Sequence, residues 1–123
     1  ADAGVTWTSL TDDLPLPAIQ WIAIDPVNPQ LMYATTIQRA YPARWLRSTD
    51  GGVTWEVSTL TLTDGRQLSP ALCAVNVFKA CIPPSSGRIL IDPTRAGSPN
   101  TSTVFFVGAS HILRSDDSGR TFR

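Results

Sequence analysis

The 123-residue sequence predicts an all-β fold built from short antiparallel strands in repeating units. Three observations carry that prediction. Ten prolines, eight glycines and many Thr, Ser and Val residues disfavour helices. No window sustains apolar residues at i, i+3, i+4 and i+7; short β-branched runs cut by Pro, Gly, Asn and Asp recur instead. Finally, an eight-residue motif returns along the chain. Ser48-Thr49-Asp50-Gly51-Gly52-Val53-Thr54-Trp55 reads S-x-D-x-G-x-T-W. Ser115-Asp116-Asp117-Ser118-Gly119-Arg120-Thr121-Phe122 repeats it with Phe for Trp. Asp2-Ala3-Gly4-Val5-Thr6-Trp7 is the same pattern without its leading Ser.

A second element keeps step with the first. Ile24-Asp25-Pro26 and Ile91-Asp92-Pro93 each place their Asp 25 residues before the Asp of the next motif. Each closes an apolar run, Ile19 to Ile24 and Ile89 to Ile91. The motif period is 48 residues from Asp2 to Asp50 and 67 from Asp50 to Asp117. Periods of this order with about four strands each fit propeller blades. The longer period carries its extra residues between Trp55 and Ile89.

The motif has a physical reading. A hairpin turn needs positive φ, which Gly52 and Gly119 supply at little cost. Asp50 and Asp117 can accept hydrogen bonds from nearby backbone N–H groups and lock the turn; Ser48 and Ser115 can do so more weakly. Thr54 and Thr121 lead into the next strand, and Trp55 or Phe122 supplies a large apolar anchor. All of these roles are structural.

On these residues the chain resembles the BNR/Asp-box repeat β-propeller superfamily, which includes sialidases, xyloglucanases and sortilin-like receptors. The stretches IAIDPVNPQLMYATT and WLRSTDGGVTWE most resemble the xyloglucanase and sortilin-like branch. The resemblance covers nearly the whole chain except residues 58–86. It implies a β-propeller segment of antiparallel four-stranded blades with Asp-box hairpins. The implied division is residues 1–10 as the end of a preceding blade, 11–59 as blade one, 60–87 as an inserted loop, and 88–123 as an incomplete blade two. The chain starts inside one box and stops inside another, so about two blades of a longer propeller are expected. Strands are expected at Val5 to Leu10, Ile19 to Ile24, Leu31 to Thr36, Arg44 to Ser48, Thr54 to Thr59, Arg88 to Ile91, Thr103 to Gly108 and His111 to Ser115. A last strand should begin at Thr121.

In such a blade the box turn and the I-D-P loop share one face. The loop between second and third strands and the blade-to-blade connection share the other, which the family uses for ligands. Two long segments fall there: Ile37 to Arg44, and Leu60 to Gly87. Arg39, Tyr41, Arg44 and Trp45 are the candidate ligand contacts. Aromatic faces pack on the apolar faces of sugars, and guanidinium forks suit carboxylates. The plain alternative is that Trp45 is the first core residue of a strand, the preferred reading for it, and that the arginines are solvated.

Cys73 and Cys81 are the only cysteines, both in the insertion. A disulfide is the expectation, worth about 2–3 kcal/mol in the chain-entropy model and indicating an oxidising compartment. Two reduced thiols or half a metal site are the alternatives. His111 is the only histidine and no partners stand at zinc-like spacing, so no metal or other cofactor is expected. Asp12-Asp13 and Asp64 are carboxylates on the expected ligand face. Glycoside hydrolases need two carboxyl groups roughly 5–10 Å apart, and adjacent loop residues meet that need poorly. Asp25 and Asp92 precede Pro and read as strand terminators. Asn100-Thr101-Ser102 fits the glycosylation acceptor pattern. Glu56 is the only glutamate, just after a box, and Arg88-Ile89-Leu90 departs from the Arg-Ile-Pro of sialidases. No catalytic residue transfers.

Lys plus Arg equals Asp plus Glu, ten each, which gives no reason to expect nucleic acid as partner. No apolar run is long enough for membrane insertion. The expected function is a non-catalytic segment of an extracytoplasmic glycan- or protein-binding scaffold. The alternative is a segment of a secreted glycoside hydrolase with catalytic residues mostly elsewhere. Partners would be further blades of a longer chain or another copy of itself, with a glycan or polypeptide ligand. Two blades expose both blade-to-blade faces, so the chain alone is expected to be marginal or oligomeric.

Overall fold

A computed structural model describes residues 3–10, 19–36, 45–58, 63, 88–107 and 112–123. It contains two antiparallel sheets. The first is four-stranded, in the order β1 (Ile19–Ile24), β2 (Met32–Thr36), β3 (Trp45–Ser48) and β4 (Glu56–Ser58). The second has β5 (Arg88–Ile91), β6 (Val104–Val107) and β7 (Ile112–Ser115). Neighbours in sequence are neighbours in space, as expected for antiparallel meanders. A fourth strand is nucleated at the edge of the second sheet, where Arg114 and Arg123 exchange both backbone hydrogen bonds at 2.9 Å.

Three expectations need adjustment. Val5 to Leu10 forms no strand, because no described strand lies beside it to complete a ladder. β1 and β5 have the predicted bounds; β2, β4 and β6 begin one or two residues later than predicted, and Arg44, Thr59, Gly108 and His111 lie outside the described residues. A 3-10 turn at Pro93–Arg95 was not foreseen. It forms because Asp92 accepts from the Thr94 amide at 2.9 Å and Pro93 pre-sets φ for the turn.

Register fixes which residues share a face. On the first sheet Trp21, Thr35 and Trp45 align across one face, with Ala23, Tyr33, Arg47 and Glu56 beside them. On the second, Ile89, Phe106 and Leu113 align, next to Ile91, Val104 and Ser115. These two faces meet. Tyr33 and Trp45 from the first join Ile89, Val104, Phe106, Leu113 and Phe122 from the second in one buried cluster. Trp45 is its hub. Its ring centroid lies 5.7 Å from Tyr33, tilted, and 5.1 Å from Phe122, edge-on.

The two S-x-D-x-G-x-T turns have the same geometry. The Gly52 amide donates to Ser48 Oγ at 2.9 Å, and the Gly119 amide to Ser115 Oγ at 2.8 Å. Each Ser hydroxyl donates to its Asp, at 2.8 and 2.7 Å. Each Asp then accepts from the Thr amide four residues on, at 2.9 Å in both turns, and from the Thr hydroxyl. The seryl oxygen thus holds the glycine and the carboxylate holds the threonine. The closing aromatics differ in fate. Phe122 is buried. Trp55 is half-buried, its indole N–H donating to the Leu10 carbonyl at 3.0 Å. Trp7 is 89% exposed, so it anchors nothing within the chain.

Gly119 is needed for two reasons. Its φ is +81°, and a Cβ would lie 2.8 Å from Cζ2 and Nε1 of Trp45. Gly119→Ala should therefore destabilise by about 2–4 kcal/mol, since left-handed strain adds to overpacking of the hub. Gly51→Ala should cost only about 1 kcal/mol, because a Cβ there meets the flexible end of Gln30. Urea denaturation of the two variants checks the ordering.

The turns also predict a pH dependence. The Thr54 hydroxyl and amide, with the Ser48 hydroxyl, hold Asp50 down to about 2 from its ordinary 3.8. Partial burial raises Asp117, but bonds from Thr121, Ser115 and the Arg120 amide outweigh it and leave its carboxyl lowered. A depressed carboxyl contributes stability above its unfolded value and loses it as pH falls through the folded one. Melting temperature should fall from about pH 4 towards pH 2, and Asp50→Asn should flatten that fall. A variant as acid-sensitive as the parent in thermal melts would refute the assignment.

Candidate functional site

Two ends of the sheets must be distinguished. Ile19 of β1, Thr36 of β2 and Trp45 of β3 lie at one end; Ile24, Met32, Ser48 and Glu56 lie towards the other. The I-D-P loops and box turns close the second end. Segments 11–18 and 37–44 attach at the first, and 64–87 enters at Arg88, the matching end of β5.

The box end is held by a polar clasp between the sheets. Asp25 is buried. Its Oδ1 accepts from the Val27 and Asn28 amides, both at 2.9 Å, which fixes its own loop. Its Oδ2 accepts from the Gly97 amide at 2.8 Å, 72 residues away on the second sheet's loop. The Asn28 side-chain amide donates to the Gly97 carbonyl at 3.3 Å. Arg47, also buried, donates to Glu56 at 2.7 Å and to the Pro99 carbonyl. Ser118, left-handed at φ +59°, tolerates that conformation because its buried hydroxyl donates to the Ser98 carbonyl at 2.7 Å and accepts from the Ser102 amide at 2.9 Å. Burial pushes the Tyr33 phenol up, and the neighbouring Ser118 hydroxyl pulls it back.

Every described carboxylate is engaged at this end. Asp92 caps the 3-10 turn, and Thr94 lowers its carboxyl through its hydroxyl and amide. Asp116 accepts from Arg114 and Arg123, both at 2.7 Å, and the Arg114 bond is foremost in lowering it. That separates two arginines that the β-ladder places opposite each other. Glu56 pairs with Arg47. These groups build turns and ion pairs. Among the described residues no cluster of His, Cys, Asp and Glu is arranged to hold a metal ion.

The opposite end offers a different surface. Trp21 and Arg88 occupy equivalent places, three residues before Ile24 and Ile91. The Arg88 guanidinium carbon sits 5.4 Å from the centroid of the Trp21 ring, where β1 and β5 adjoin. Trp21 is 38% exposed. An aromatic face and a guanidinium thus stand together at the mouth of the seam between the two leading strands. Sequence reasoning missed this pair because its members are 67 residues apart; only their shared register in the repeat could have found them.

Trp45 is the core residue that the sequence preferred, and it is withdrawn from the candidate ligand contacts. It is 1% exposed and forms the core hub, since the first apolar residue of an inner-sheet strand buries more surface against the neighbouring sheet than it could against solvent. Arg39, Tyr41, Cys73, Cys81, Asp12, Asp13, Asp64 and His111 lie outside the described residues, as does Arg44.

Together, the paired antiparallel sheets define an all-β, propeller-like class of protein. No family model matches the chain, and no curated protein matches it. Among solved structures, the GH74 xyloglucanase from Xanthomonas campestris is similar, with a TM-score of 0.55 and 23% identity over 87% of this chain. The match spans 15% of the length of that enzyme. The likeness is one of fold. No helix among the described residues is long and apolar enough to cross a membrane, which leaves β-barrels aside.

The clasp gives a clear contrast. Asp25→Ala should destabilise by about 2–3 kcal/mol, because it strands part-buried amide donors on the loops of both sheets. Asp92→Ala, at the equivalent position with no partner on a neighbouring sheet, should cost clearly less. Chemical denaturation of both variants measures the difference.

Proposed function

We propose that the chain is a non-catalytic segment of an Asp-box β-propeller in an extracytoplasmic protein, and that it contributes a glycan-binding surface at the end opposite the box turns. The observation that carries the reading is the Trp21–Arg88 pair at the seam of the leading strands. An indole face suits the C–H face of a sugar ring, and a guanidinium offers a planar fork of donors to its hydroxyls or carboxylate. The repeated turns support the propeller part of the reading, since both have one hydrogen-bond pattern. Every described carboxylate is committed to a turn or ion pair at the box end, which favours binding over hydrolysis within these residues.

A second reading has one observation in its favour. The similar solved structure is a xyloglucanase, so the chain would be a segment of a glycoside hydrolase. Asp12, Asp13 and Asp64 are then the acids to test.

Affinity electrophoresis through gels containing soluble polysaccharides, neutral and acidic, should show retardation of the chain on at least one glycan. Trp21→Ala and Arg88→Ala should each weaken that binding about tenfold or more without loss of the β-sheet circular dichroism signal. Free migration on every glycan would overturn the binding reading. Reducing-sugar release that disappears on changing Asp12, Asp13 or Asp64 would favour the second.

A further inference from the structure

The contact between the two sheets is asymmetric, and half of it is repeated on an uncovered surface. The first sheet presents Ala23, Tyr33, Trp45, Arg47 and Asp25. The second receives them with the opposite side of its own strands and with its box turn. Gly119 lies against the Trp45 indole and Phe122 packs edge-on to it. Counting from the I-D-P elements and the boxes, the residues of the second sheet equivalent to that presenting face are Leu90, Phe105, Ile112, Arg114 and Asp92. Leu90, Phe105, Ile112 and Arg114 share one face by register, with Arg88 and Val107. Leu90 is 54% exposed and Ile112 is 69% exposed.

The receiving half is also present a second time. At the start of the chain Ala3 and Gly4 have φ of 55° and 86°, the left-handed pair that Ser118 and Gly119 form in the second box at 59° and 81°. Trp7 stands where Phe122 stands, three residues after the glycine, and is almost fully exposed. A Cβ on Gly4 would meet only Trp7 itself, so the surface above that glycine is open. Exposed Val5 adjoins it. One chain therefore carries both a bare presenting face and a bare box turn of the kind that such a face receives.

We infer that a second copy of this chain docks its Gly4–Trp7 turn on the Leu90–Ile112 face of the first. Trp7 of one copy lies against Ile112 of the other as Phe122 lies against Trp45 within the chain. The contact is heterologous, so each copy keeps one free presenting face and one free turn, and association continues head to tail. Arg88 lies on the same face by register, at its end away from the box turns; the docking contact is argued from Trp7 and Ile112 and does not rest on glycan binding.

The test is size-exclusion chromatography with light scattering on the full chain over a concentration series. The parent should form species larger than a monomer whose mass rises with concentration. Trp7→Ser and Ile112→Glu should each run as monomers with unchanged circular dichroism, because both side chains are exposed. Mixed in equal amounts, the two variants should form a dimer and stop there. Trp7→Ser keeps a working face, Ile112→Glu keeps a working turn, and only one productive contact exists between them. A parent that stays monomeric at every concentration would overturn the inference. So would a Trp7→Ser variant that associates like the parent, or a mixture that stays monomeric.

Discussion

Trp45 is the residue on which the two sheets depend. A three- or four-stranded sheet with one apolar face cannot bury that face alone. Here each sheet uses the other, and the indole of Trp45 fills the space between them. It stacks at a tilt on Tyr33 of its own sheet and meets the edge of Phe122 from the next. The box glycine of the second sheet approaches so closely that no other residue fits there. The local turn and the long-range packing are therefore one constraint. Gly119 serves the hairpin by its φ and serves the core by lacking a side chain.

Around this apolar hub the polar groups are arranged by the same repeat but meet different fates. Asp25 and Asp92 follow equivalent strands and fix equivalent loops. Only Asp25 also reaches a neighbouring sheet, through the Gly97 amide, and only Asp25 is buried. Arg47 and Arg114 are a second such pair. Arg47 is enclosed between Glu56 and the Pro99 carbonyl, whereas Arg114 is half-exposed and shares Asp116 with Arg123. The second sheet's loop at Gly97 to Thr101 is what makes the difference, since it supplies the amide and carbonyl that the first sheet's polar groups engage. Identical local chemistry becomes buried structure where a neighbour supplies the complement and remains solvated surface where none does.

The separation of roles along the strands follows from antiparallel pairing. Turns at one end consume the carboxylates and hydroxyls of the boxes and I-D-P loops, so their chemistry is spent on backbone amides. The other end is left to the strand beginnings, where Trp21 and Arg88 meet. A ligand surface is more easily built there because no backbone accounting competes for its side chains.

The sequence by itself determined the strand-rich class, the order of the meander, and the role of the box Asp and Gly in both turns. Those features depend on residues within about eight positions of one another, so spacing alone specifies them. Ser48, Asp50, Gly52 and Thr54, and their counterparts Ser115, Asp117, Gly119 and Thr121, were legible for that reason. Tertiary structure alone decided that Trp45, read from sequence as a core residue, is the hub between two sheets, that Phe122 is buried while Trp7 is bare, and that Asp25 is a bridge between sheets. It also brought Trp21 under Arg88. Each of these outcomes depends on which surface covers which, and coverage is set by how one sheet packs on another, a relation between residues tens of positions apart that local pattern does not encode.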